Sequence, residues 1–228
     1  MEFVRLVNMM LVTFAALVLG LLITSTRQRF DELGNEFAVY SAQIIELNRL
    51  LRAYGPETLP ARKLLQEYTA TAVATTWRDE AAPPGAVQLP PPSNKGSLES
   101  FSLGEVLDKI DAMVLELQPA NPMQRMLAAQ ARSRFEAMIR QRWQLIDHAR
   151  GLIARSFYLV LVPWLLAIFA RFGLSASRNM LVYVTILLCG LSVTSAVFII
   201  MELSTPLGGL IVVSSEPMRD AVAHLEQG

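Results

Sequence analysis

The sequence predicts an all-α membrane protein: three transmembrane helices, the first and second continuous with a cytoplasmic helical domain. Three observations carry that prediction. The 228-residue chain is 53% hydrophobic and only 18% charged, on the membrane side of ordinary soluble composition. Leu6 to Thr24 is almost wholly apolar, close to the ~20 residues a bilayer core requires. No Gly-Pro break follows. Instead Phe30, Leu33, Phe37, Tyr40, Ile44, Leu47, Leu51 and Tyr54 recur in steps of three and four, a heptad seam that stops at Gly55-Pro56.

The first element, 1–26, is therefore a span that runs on into the polar domain. A helix of about 50 residues extends about 75 Å, well past a ~30 Å hydrocarbon layer. Its lower half is expected to pack against helices of its own domain or of neighbouring subunits. A signal peptide is the alternative for such an N-terminus, and Arg5 suits one. The run is too long for that, however, and no A-x-A-like cleavage site follows it. Polar residues within the span, Asn8, Thr13 and the Thr24-Ser25-Thr26 run, need partners or water. Thr13, Leu17 and Leu21 share one face and are the pore-lining candidates, able to form a constriction that gates by dewetting. Ordinary helix packing explains the same spacing. Arg27, Arg29, Asp31 and Glu32, with Glu36, are pore-mouth charge candidates or a solvated helix face.

The polar domain, 27–155, follows. From Ser25 to Arg155 the chain holds sixteen Lys/Arg and fifteen Asp/Glu. Leu64, Leu65, Tyr68, Ala72, Val73 and Trp77 trace one face of a second helix. The stretch 81–100, rich in proline, is an extended loop. Ser102-x-x-Glu105 has capping-box spacing and opens a helix with Leu103, Val106, Leu107, Ile110, Val114 and Leu117 inward. Pro119 ends it. Asn121-Pro122 then starts a helix with Met126, Leu127, Phe135, Met138, Ile139, Ile146 and Ile153 on its buried side, running through Arg155 into the second span.

The third element, 156–201, is a transmembrane hairpin. Its arms are Ser156 to Ala170, broken by Pro163, and Met180 to Met201, which carries no charge, with Arg171 to Asn179 as the link. A buried soluble hairpin is the alternative. The last element, 202–228, is a tail with a turn motif at Glu202, Pro206 and Gly208, then an amphipathic helix capped by Ser214-Ser215-Glu216-Pro217. Its glycines lack nucleotide-loop spacing.

Orientation follows the basic residues near the span ends. Arg132, Arg134, Arg140, Arg142, Arg150 and Arg155 precede the second span, Arg27 and Arg29 follow the first, and only Arg171 and Arg178 flank the link. The balance places 25–155 and the C-terminus in the cytoplasm of a multi-pass protein.

Zero net charge gives no case for nucleic acid, and one cysteine with two histidines gives none for a disulfide framework or metal centre. No catalytic constellation is present, and no cofactor is expected.

Several stretches carry a family resemblance. They are Ala15–Ile23 with Ser25, Ile44-Ile45-Glu46-Leu47-Asn48-Arg49, Tyr54-Gly55-Pro56-Glu57, Phe172-Gly173-Leu174 with Arg178-Asn179, Glu202-Leu203 with Pro206-Leu207-Gly208-Gly209-Leu210, and Val213–Arg219. Together they resemble the bestrophin-like bacterial membrane proteins, a family known by a domain of unknown function, over essentially the whole chain. More remotely the layout is similar to bestrophin anion channels. That resemblance implies a homo-oligomer, a pentamer, in the lipid of the bacterial inner membrane, conducting chloride or another anion along the first span. Gly20 followed by Arg29-Phe30 is similar to the end of the channels' pore helix. Thr13, Leu17 and Leu21 then fall at the constriction, without the aromatic content of the channel neck. Ser204 and Leu207 stand where the tail motif usually has an acidic residue and Phe. The family plan has four spans, with one more helix before Met1. The competing reading is a non-conducting scaffold or sensor.

Overall fold

The computed structural model describes residues 2–87, 101–149, 155–175 and 179–227, and among these every regular element is helical. In order they are α1 (Glu2–Tyr54), a 3-10 turn (Pro56–Thr58), α2 (Leu59–Thr76), α3 (Phe101–Leu115), α4 (Pro122–Ala149), α5 (Arg155–Ser175), α6 (Met180–Leu203) and α7 (Glu216–Glu226). The chain divides into two units. One comprises Met1–Asp31 with Gly151–Val212, the other Glu32–Arg150 with Val213–Gly228. The single 53-residue helix α1 contributes to both.

The first unit has the apolar surface of a membrane protein. Among the described residues two helices are long and apolar enough to cross a bilayer, within Met9–Tyr54 and Met180–Leu203, and only 6% of the apolar window in the latter is buried. A soluble core helix would be mostly buried, so the soluble hairpin does not describe α6. α5 packs on α6, and its described apolar stretch is the shorter Leu159–Leu174. Two details differ from expectation. Pro163 lies inside α5 and does not break it, because its fixed φ suits a helix and only one backbone hydrogen bond is forfeited. The link is also shorter than 171–179, since Arg171 to Ser175 are helical.

Within this unit Ala15 and Leu19 of α1, Leu161, Leu165 and Ile168 of α5, and Ile200 of α6 form a buried cluster. Phe14 meets Trp164 edge-on at 5.8 Å between centroids. Hydroxyls on the exposed faces bond back to their own helix: Thr13 to the carbonyl of Met9, Thr24 to Gly20, Thr185 to Leu181 and Ser195 to Leu191. This i−4 bonding satisfies each polar group without water, which a lipid-facing helix needs.

The second unit is a helical domain built on the seam. From Leu33 to Tyr54 every seam position is buried, so the seam's partners lie within the same chain. α2 packs on both α3 and α7. Leu103, Leu107, Ile110 and Val114 are buried on α3, and Leu127, Phe135, Met138 and Ile146 on α4. Met126, expected inward, is 47% exposed. Asn121 caps α4 as its sequence implies, its Oδ1 accepting the Gln124 amide at 2.8 Å, while Gln124 Oε1 accepts the Ala120 amide at 2.9 Å. The Ser102 side chain, the loop residues 88–100, Ile153 and the passage from α4 into α5 lie outside the described residues.

Candidate functional site

The two sides of the membrane stretch of α1 differ sharply. Ala15 and Leu19 face α5 and α6 and are buried. Thr13 is exposed, as are Leu17 at 68% and Leu21 at 72%. The three pore-lining candidates thus share a stripe that the described residues leave uncovered. Gly20 is open too, with nothing within 4 Å of a Cβ built there.

Below this stripe Arg27 Nε donates to Asp31 Oδ2 at 2.9 Å, with both side chains more than half exposed. An exposed i,i+4 pair of this kind contributes about 0.3–0.5 kcal/mol. Arg29 and Glu32 are exposed on the same helix. In the helical domain Glu36 turns from that cluster to His148 of α4, whose Nδ1 lies 2.7 Å from Glu36 Oε1.

Two arginines counted for orientation serve the domain. Arg134 pairs with Glu46 at 2.9 Å. Arg142 is only 5% exposed, and its charge acts on Tyr68. Tyr68 in turn lies 2.6 Å from Tyr40, oxygen to oxygen. Burial pushes both phenols above their ordinary range, and the Arg142 charge opposes that rise. Spacing alone gave no signal for this network, since its members lie on three helices.

The tail motif resolves into a carboxylate that organises a turn. Glu202 Oε1 accepts the amides of both Leu210 and Ile211, the latter at 2.9 Å. Gly209 matters here, because a Cβ at that position would collide with the same carboxylate. Pro206 is buried, and Gly208 is open. From Val213 on, the tail belongs to the helical domain. Trp77 Nε1 donates to the Val213 carbonyl at 2.7 Å. Ser215, expected to cap α7 with its side chain, donates instead to Glu80 and accepts from Arg219. The hydroxyl donates to a carboxylate and accepts from a guanidinium, and these charge-assisted bonds, about twice as strong as neutral ones, orient it in place of a capping bond from a backbone amide.

The helices and their uncovered apolar faces define a helical membrane protein. A model of the Bestrophin-like domain matches residues 2–218, and the chain belongs to that family. Among solved structures it is similar to a single-substitution variant of a bacterial bestrophin homologue from Klebsiella pneumoniae, at 14% identity and a TM-score of 0.69, covering 96% of this chain and 83% of that one. Another structure of the Klebsiella pneumoniae homologue gives 14% identity, a TM-score of 0.70 and coverages of 96% and 85%. A membrane protein carrying one substitution gives 13% identity, a TM-score of 0.73 and coverages of 96% and 85%. At such identities the likeness is one of fold. No curated protein matches the chain.

Proposed function

We propose that the protein assembles as a homo-oligomeric ring, a pentamer, in the bacterial inner membrane and conducts anions through a pore lined by α1. The observation that carries this reading is the uncovered stripe of Thr13, Leu17 and Leu21, opposite the face that Ala15 and Leu19 bury. Around a ring axis those stripes would converge into a narrow apolar neck, wetted only when it widens. Family membership and a fold shared with bacterial bestrophin homologues support it.

In this reading α5 is a third span. Its 21 residues extend about 31 Å at ~1.5 Å per residue, long enough for the hydrocarbon core. Residues 25–155 and the tail from 202 lie in the cytoplasm, as the basic residues near the spans favour. Permeation needs no catalytic group, and no enzymatic role is proposed.

The test is mass measurement in detergent, followed by reconstitution into planar bilayers with a conducting control. A ring whose current reverses with the anion gradient is expected. A monomer sinks the reading. A ring that stays silent turns it toward a non-conducting scaffold.

A further inference from the structure

At the end of α1 the chain turns through Gly55 into α2, and the last turn of α3 packs beside that turn. Between them lies a cavity of about 340 Å³. Leu51, Tyr54, Ala61 and Val114 are buried residues of its apolar lining, and the carboxylates of Glu57 and Glu116 line it with them. Among the described residues no Lys, Arg or His lines it.

Two features give this cavity a sign. Among the described residues neither carboxylate has a salt-bridge partner. Second, the Leu51 and Tyr54 carbonyls at the end of α1 are already taken. Thr58 Oγ1 donates to Leu51 at 2.6 Å and to Gly55 at 2.8 Å, and Gln124 Nε2 donates to Tyr54 at 3.2 Å. The carboxylates therefore remain to receive an incoming donor. Gly55 helps place one of them: its φ is 144°, and the Glu57 carboxylate fills the space a Cβ would need.

We propose that this cavity binds a small organic cation, a primary ammonium on an apolar body. The volume sits near the lower end of the ~300–1,000 Å³ typical of ligand pockets, which suits a single ring with a short chain. The apolar floor takes the ring, and Glu57 and Glu116 take the ammonium. Binding does not depend on conduction, so its failure leaves the proposed channel untouched.

The experiment titrates the full chain in detergent with 2-phenylethylammonium by calorimetry, beside phenylacetate and 2-phenylethanol, which carry the same ring. Saturable binding of the ammonium is expected, at least about tenfold tighter than either comparator. The double variant Glu57→Gln with Glu116→Gln should weaken it at least about tenfold without lowering the melting temperature, since both side chains are exposed. Glu226→Gln, on α7, which contributes no residue to the lining, should leave it unchanged. Equal binding of the alcohol, no saturable binding, or unaltered affinity in the double variant overturns the proposal.

Discussion

The phenol oxygens of Tyr40 and Tyr68 lie 2.6 Å apart, joining α1 to α2 where neither side chain reaches solvent. Replacing either by Phe strands the other hydroxyl, at about 1–3 kcal/mol. Tyr68→Phe should cost more, because it also removes a polar group on which the buried Arg142 charge acts. The double variant should cost less than the sum of the single ones. Thermal melts of the four proteins test this, and strict additivity would refute the coupling.

The same pair predicts alkaline sensitivity. Burial holds both phenols protonated above the ordinary tyrosine range. The unfolded chain gives up those protons near pH ~10, whereas the folded domain keeps them. The pair's contribution is therefore complete below about 10 and is lost as pH rises toward the higher folded values. Melting temperature should be flat from pH ~8 to ~10 and fall above that, and Tyr40→Phe with Tyr68→Phe should flatten the fall.

Trp77 ties the tail to the domain through its bond to Val213, and its ring packs on Phe37 at 4.9 Å between centroids. Trp77→Phe keeps an aromatic ring there but strands a buried carbonyl, costing about 1–3 kcal/mol. Amide exchange should quicken along 213–226 before the rest of the domain responds. Uniform acceleration would count against a local tie.

In the membrane unit, Glu202→Ala should free the turn that the carboxylate holds, at about 1–3 kcal/mol, with Glu202→Gln milder because it remains an acceptor. Gly209→Ala should loosen the same turn by displacing the carboxylate. Protease cleavage within 204–212 is the readout, and its rate should rank Ala above Gln above the parent at position 202.

For the proposed pore, Leu17→Ser makes an exposed apolar position wettable while leaving the packed Ala15 and Leu19 face alone. Single-channel current should rise. Ala15→Ser, on the packed face, should not raise it.

The heptad seam was legible because it is a local property of one helix, and its residues from Leu33 to Tyr54 are all buried. The Asn121 cap was legible for the same reason: its partner is three residues away. What escaped depended on distant partners. Ser215 obeys the local capping rule in sequence but meets Glu80, 135 residues earlier. Arg142 reads as a juxtamembrane charge, yet the fold buries it beside Tyr68, a residue from another helix. Arg171 and Gly173 look like link residues, but α5 continues through both. The stripe at Thr13, Leu17 and Leu21 was legible as a face, and only the fold revealed that no described residue covers it.

The seam carries a risk of error that its own apolar residues cannot correct. Sliding α1 by one heptad puts Leu33 or Leu47 in place of Tyr40, and most core positions still receive an apolar side chain. A chain guided by hydrophobicity alone could settle one repeat out of step. The polar residues tell the settings apart. After such a slip Tyr68 would face leucine, and Arg62, which now donates to Asn48 at 3.0 Å, would meet Ser41 or Gly55 instead. Tyr40 and Asn48 thus act as index marks along an otherwise repetitive rod, rejecting misaligned intermediates by the cost of stranded polar groups.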